Sequence, residues 1–225
     1  REGDVAIQRF CEVVRRKIPV EMLGQVILDA GNGLRLRHAR AVQPSAEEID
    51  VIPAYDLFKV NTMSRYGVIG GFHGFKGSDT GFATVLSNRG CRAQCTFCSV
   101  RNFNGKAVRQ RSVNSVLDEL EFLENEQDIR HIVWLDDDLL KDRARALALF
   151  NGMVQRNLEL TWDATNGLIA ASCDEEMVHA MAASGCIGCY IGMESGNPEI
   201  LKRVKKPGTV HNFVAAAEAF RQYPQ

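Results

Sequence analysis

The chain has 225 residues, 45% of them apolar and 24% charged, enough for one substantial core and ordinary for a soluble globular protein. Its net charge of −1 gives no electrostatic case for a nucleic-acid or anionic-membrane partner. No long apolar run or basic-then-apolar leader marks a membrane span or a secretion signal.

Taken in chain order, residues 4–16 carry Val5, Phe10, Val13 and Val14 at loosely helical spacing. Residues 24–39 read as two short strands joined at Asn32-Gly33, a pair that favours hairpin turns. From 42 to 80, Pro44, Pro53 and the run GVIGGFHGFKG predict linker and loop. The texture then changes to short apolar runs alternating with amphipathic helices. Residues 83–87 form a first strand. Val113, Val116, Leu117, Leu120 and Leu123 form a helical stripe. Residues 131–135 are a second strand, ending in Asp136, Asp137 and Asp138, and a helix follows over 144–154.

A third strand covers 158–164 and ends at Thr165-Asn166-Gly167. Ser172 and Glu175 predict a capping box for a helix that Gly185 terminates. The fourth strand, 186–193, ends at Glu194-Ser195-Gly196, and Asn197-Pro198 opens another helix. Repeated strand–helix alternation implies parallel strands with right-handed crossovers. The fold class is therefore α/β: a partial (β/α) barrel of parallel strands, truncated, with a small N-terminal helix/hairpin segment. Four units are too few to close an eight-stranded barrel. The expected division is 1–60 as the tail of an upstream domain plus linker, 61–82 as Gly-rich linker, and 83–225 as the incomplete barrel. The chain starts on Arg1 and stops just after a helical pattern, so it reads as a piece of something longer.

Seven cysteines, an odd and unevenly spaced set, favour thiols kept reduced in a cytoplasm over a disulfide framework. Three of them, Cys91, Cys95 and Cys98, sit on one tight loop just after the first strand. Thiolates are soft ligands suited to zinc, cuprous copper and iron–sulfur clusters. A structural zinc site wants a fourth ligand at paired spacing. Cys186 and Cys189 have that spacing, but within an apolar strand two residues three apart point to opposite faces. Three thiolates on a four-iron cluster leave one iron open, the condition for a catalytic rather than a structural metal site.

The pattern C-x3-C-x-aromatic-C, present as Cys91, Cys95, Phe97 and Cys98, resembles the cluster motif of the radical S-adenosylmethionine (radical SAM) enzymes. The resemblance implies a [4Fe-4S] cluster on the three cysteines, with Phe97 beside it. The open iron would chelate the methionine end of S-adenosyl-L-methionine, and one electron would cleave the sulfonium to a 5'-deoxyadenosyl radical. A one-electron donor such as a flavodoxin or ferredoxin is implied as partner, together with a small-molecule substrate.

Asp136, Asp137 and Asp138 close the second strand, where the family often carries Gly-Gly-Glu against the methionine ammonium. A carboxylate there is physically apt, and the Asp-Asp variant resembles the branch that also carries a cobalamin-binding domain. The competing role is an acidic helix N-terminus. Residues 191–196, IGMESG, resemble the G-x-E-S-G of the same branch, which implies that Glu194, Ser195 and Gly196 contact the cofactor. The alternative is a polar strand end turned by glycine. Thr165 and Asn166 stand where that branch often shows arginine, which puts a contact there in doubt. Lys206 lies on a stretch similar to a family K-G segment, with solvent exposure the expectation. The cobalamin signature D-x-H-x-x-G is absent from this chain, so a corrinoid site would lie upstream.

The resemblance covers about residues 83–220. It implies a radical SAM enzyme, with cobalamin-dependent methyltransferases and an anaerobic ring cyclase among the branch's activities. A methylthiotransferase-like radical SAM enzyme is the nearest alternative, and a zinc-binding structural or interaction module the alternative from another class. The sequence names no catalytic side chain.

Overall fold

The computed structural model describes residues 4–19, 22, 27–29, 34–36, 43–64 and 80–223. The expected N-terminal helix is α1 (Asp4–Val14). The hairpin strands are β1 (Ile27–Asp29) and β2 (Leu34–Leu36), paired antiparallel in the register Leu28↔Arg35. Their Asn32-Gly33 turn lies outside the described residues, as does most of the Gly-rich stretch.

The segment expected as linker contains short helices. Ser45 and Glu48 cap α2 (Ala46–Ile49) reciprocally, a 3-10 turn covers Tyr55–Leu57, and α3 (Val60–Ser64) packs against the first barrel strand. Proline and glycine counts hid these one-turn elements, whose order comes from caps and from Tyr55 and Val60 packing on the core.

The barrel strands are β3 (Phe82–Val85), β6 (His131–Trp134), β7 (Thr161–Leu168) and β8 (Cys186–Ile191), parallel and in that spatial order. The crossover helices are α5 (Val113–Gln127), α6 (Arg143–Gln155) and α7 (Glu175–Ala183). Register is set by the pairs Val85↔Trp134 and Ile132↔Trp162. Alternation sends Trp134 and Trp162 toward the helices, where Trp162 stacks on Phe150 at 5.0 Å and meets Trp134 edge-on at 6.3 Å. On the opposite face, buried His131 and Asp163 pair at 3.0 Å.

Two boundaries differ from the sequence reading. β7 starts later and runs on through Thr165, Asn166 and Gly167, because its pairing with β8 is irregular there. The cap of α7 is Asp174, which accepts from Met177 N, while Ser172 sits in a 3-10 turn and takes the Arg92 guanidinium instead. Gly185 ends the α7 hairpin as expected, at φ +94°. A Cβ there would lie 2.2 Å from the Leu160 carbonyl oxygen.

The β7–β8 ladder also carries a bulge: Trp162 pairs with Cys186, but Asp163 pairs with Gly188. The extra residue, Ile187, shifts the alternation by one. Cys186 and Cys189 therefore line the same cavity, with Met181, Phe220 and Tyr223, rather than opposite faces. Burial pushes the thiols of Cys173 and Cys189 up to about 12.

A short antiparallel pair, β4 (Asn88–Arg89) with β5 (Arg109–Gln110), was not readable from the sequence. It clamps the two ends of the cysteine loop. After β8 come α8 (Pro198–Arg203), capped by Asn197, and α9 (Val210–Phe220). Among the described residues no helix is long and apolar enough to cross a membrane.

Candidate functional site

Every strand of the barrel delivers a polar segment to its carboxyl end, the face where parallel α/β folds place their chemistry. The cysteine loop begins at Gly90, whose φ of +98° and close approach to Ala107 exclude a side chain: a Cβ would stand 2.3 Å from the Ala107 oxygen. From there Cys91, Cys95 and Cys98 all border one cavity of about 320 Å³. Phe97, Arg101, Asp137, Asn166, Leu168, Ile169, Glu194 and Lys206 complete much of its wall.

The three thiols neighbour one another closely enough that Cys95 raises the pKa of Cys91 and Cys98 raises that of Cys95. Burial is the larger cause for both, pushing Cys91 up to about 11. Among the described residues no three His, Cys, Asp or Glu side chains are gathered at metal-ligand geometry. Neutral thiols have nothing to draw them together; a metal does so by displacing their protons. The donor set fits an iron–sulfur cluster: three soft ligands on one clamped loop, facing one cavity, with oxygen and nitrogen groups on the opposite wall.

The acidic run separates into distinct tasks. Asp136 is buried and accepts from Ser87 N at 2.9 Å, Ser87 Oγ at 2.6 Å and Asn88 N at 2.7 Å. It thereby ties the end of β6 to the turn leading into the cysteine loop, and its carboxyl is pushed up to about 6 by burial. Asp138 turns toward Arg92, accepting from its backbone N at 3.2 Å and forming an ion pair with its guanidinium, Nε to Oδ2 at 3.2 Å. Only Asp137 lines the cavity; its Oδ2 accepts from Gly90 N at 3.2 Å and Asn104 Nδ2 at 2.5 Å. None of the three caps α6, whose N-cap is Asp142.

At the end of β8, Glu194 borders the cavity with φ +63°, a left-handed conformation costing about 1–3 kcal/mol for a side chain of this size. Lys206 Nζ meets Glu194 Oε1 at 2.9 Å and is 15% exposed, so the expectation of a solvated lysine is corrected. Charge alone could not reveal this. The lysine is turned inward by the chain reversal after α8, where Lys205 has φ +55°. Ser195 and Gly196 do not border the cavity; Ser195 Oγ accepts from Asn197 N at 3.0 Å, and Gly196 faces open space. Asn166 does border it, held by Nδ2 donation to the carbonyls of Leu135 and Asp136 at 3.1 and 3.2 Å. Asn104 and Arg101 were missed by sequence reasoning; neither belongs to a motif with a spacing to find.

Comparison with known proteins gives the family and the fold of the chain. Residues 85–224 match the model of the radical SAM superfamily, so the chain belongs to that superfamily. It is 29% identical over 222 residues, 99% of its length, to an uncharacterized methyltransferase of Pyrococcus horikoshii. It is 32% identical over 163 residues, 72% of its length, to the cytidylyl-2-hydroxyethylphosphonate methyltransferase of Streptomyces wedmorensis. The chain spans 45% and 30% of those two relatives. Its fold is shared with the cobalamin-dependent S-adenosylmethionine radical enzyme OxsB, at a TM-score of 0.74 and 20% identity over 97% of this chain and 31% of that one.

Proposed function

We propose that this chain is the cofactor-binding core of a radical SAM methyltransferase of the cobalamin-dependent kind. The observation that carries the reading is the cavity onto which Cys91, Cys95 and Cys98 open together with Asp137, Glu194 and Lys206. When bound, a [4Fe-4S] cluster supplies the low-potential electron that cleaves the sulfonium of S-adenosyl-L-methionine.

The chain's own residues do the rest. The cysteines hold the cluster as thiolates. Asp137 faces the cavity with Oδ1 accepting no hydrogen bond among the described residues, which suits an ammonium group. Lys206 supplies a positive charge for a carboxylate, with Glu194 orienting it. Phe97 and the apolar pair Leu168 and Ile169 give flat and greasy surface for an adenosyl group.

The methyl-transfer assignment is supported by the likeness to the Pyrococcus and Streptomyces methyltransferases. Cobalamin, a small-molecule substrate, a one-electron donor and a reducing cytoplasm belong to this proposal, as does the division of the chain near residue 83. The corrinoid would be held by sequence preceding this chain, where an upstream domain is expected.

Anaerobic reconstitution of the full-length protein tests the reading. About four irons and four sulfides per chain are expected, lost in Cys95→Ala. Stoichiometric zinc in protein prepared without oxygen, or iron unchanged in Cys95→Ala, overturns it in favour of a zinc-holding module.

A further inference from the structure

The part of the cavity wall that β7 supplies is held from beneath by a buried polar chain that the proposed function does not use. Between the pairs Ala164↔Cys189 and Leu168↔Ile191, β7 places Thr165, Asn166 and Gly167 against the single residue Tyr190 of β8, a bulge in the ladder. Asn166, Gly167, Leu168 and the following Ile169 all border the cavity. Both amide hydrogens of Asn166 go to carbonyls, those of Leu135 and Asp136, at 3.1 and 3.2 Å. What remains for a ligand is Asn166 Oδ1, which accepts no hydrogen bond among the described residues and takes only a donor, a hydroxyl or an amino group.

Below the bulge runs a line of side chains. Thr161 gives its one hydroxyl hydrogen to the Arg130 carbonyl at 3.2 Å, so His131 Nδ1 is the donor in its 2.9 Å contact with Thr161 Oγ1. The other ring nitrogen, Nε2, meets Asp163 Oδ2 at 3.0 Å. Oδ1 of the same carboxyl accepts from Thr165 N at 3.1 Å and from Thr165 Oγ1. His131 and Asp163 are fully buried, and an apolar pair of similar volume commonly packs such a site as stably or better. The polar pair does something an apolar one would not: it grips the first residue of the bulge.

We infer that Asp163, held in place by His131, is a positioning residue for the cofactor: through Thr165 it fixes the β7 bulge so that Asn166 meets the cavity as a hydrogen-bond acceptor. The inference rests on the radical SAM reading and deepens it by naming what supports one wall of its binding site. Displacing an acceptor by about 1 Å is enough to lose its hydrogen bond. A bulge free to relax by that amount would therefore keep the fold and weaken the ligand.

The test uses the full-length protein, reconstituted without oxygen, with S-adenosyl-L-methionine as the probe in calorimetric titration and urea unfolding measured alongside. Thr165→Val keeps the branched shape and the backbone N–H bond to Asp163 but loses the hydroxyl bond. Its cofactor Kd is expected to rise roughly fivefold, the scale of one hydrogen bond, with iron content and urea midpoint almost unmoved. Asp163→Ala releases both bonds to Thr165 and should raise the Kd by about tenfold or more. Asp163→Asn is the rescue: its amide oxygen still accepts from Thr165 and its amide hydrogens serve His131 Nε2, so affinity should return to within about twofold of the parent. If Asp163→Ala lowers the urea midpoint while it and Thr165→Val bind the cofactor as the parent does, the pair is structural and the inference is overturned. If Asp163→Ala does not fold, Thr165→Val decides alone, and a parental Kd there overturns the inference equally. An Asp163→Asn protein as weak as Asp163→Ala overturns it in favour of a direct effect of the carboxylate charge. A parent protein that takes up no iron, or takes it up and does not bind S-adenosyl-L-methionine, overturns the radical SAM reading instead.

Discussion

The side-chain amide of Asn104 reaches Asp137 Oδ2 at 2.5 Å, so a residue just past α4 (Val100–Phe103) fixes the one carboxylate of the acidic run that borders the cavity. With Gly90 N on the same oxygen, Oδ1 is left to meet a ligand. Replacing Asp137 by Asn removes the charge but keeps the shape. We expect Asp137→Asn to weaken S-adenosylmethionine binding to the reconstituted protein by roughly tenfold, the scale of one charge-assisted hydrogen bond. Asn104→Ala should weaken it by a smaller factor through loss of orientation, and both variants should keep their iron. Calorimetric titration decides; wild-type affinity in Asp137→Asn would remove this carboxylate from the site.

Lys206 carries a second expectation. Its ion pair with Glu194 joins a group 15% exposed to one 40% exposed, so its worth to stability is small, about 1 kcal/mol or less. A lysine kept for folding and one kept for binding therefore separate cleanly. Lys206→Met should leave the urea midpoint almost unmoved and raise the cofactor Kd roughly tenfold, with Lys206→Arg recovering part of the loss. A large stability loss with unchanged affinity would make the pair structural.

These two sites mark where the sequence was readable and where it was not. The barrel strands and crossover helices were readable because β6 is a continuous apolar run and α5 carries a 3.6-residue stripe, signals that depend on neighbours in the chain. The cysteine trio was readable for the same reason. The roles within Asp136-Asp137-Asp138 were not, because each is decided by a partner from another element: Ser87 for Asp136, Asn104 for Asp137 and Arg92 for Asp138. The Ile187 bulge was hidden likewise. Alternation in β8 gives no sign of the extra residue, which exists only in the pairing with β7.

Asp136 gives the chain a distinctive acid response. Burial outweighs its hydrogen bonds and raises the carboxyl from the usual 3.8 to about 6. Between these values the folded chain holds a proton that the unfolded chain has released, so this group adds stability as pH falls from about 6 toward 4 and adds no slope above 6. The full difference is about 3 kcal/mol. The unfolding free energy of wild type minus that of Asp136→Asn, measured in urea on cluster-free protein, should therefore rise on acidification from pH 7 to pH 4. A difference that stays flat or falls over that window would show that the hydrogen bonds from Ser87 and Asn88 outweigh burial.

The last expectation concerns the support beneath the cysteine loop. Arg111, just after β5, is buried and pairs with Glu119 of α5, which is 1% exposed. Tyr55 of the upstream segment donates to the same carboxylate. Arg111 also donates to the Leu86 carbonyl at 3.2 Å, and its backbone N donates to Ser87 O at 3.0 Å, joining α5 and the upstream segment to the turn that Asp136 grips. Arg111→Leu would strand the Glu119 carboxylate without its cation, a loss of about 3–5 kcal/mol for a buried pair broken on one side. Tyr55→Phe removes one hydrogen bond from a carboxylate that keeps Arg111, and should cost about 1–2 kcal/mol. The double change Arg111→Leu/Glu119→Leu removes both charges and should recover much of the single-variant loss. Urea unfolding measures all three. If Arg111→Leu alone costs less than about 1 kcal/mol, the pair is not a closed buried interaction, and the loop draws its order from the β4–β5 clamp and Asp136 alone.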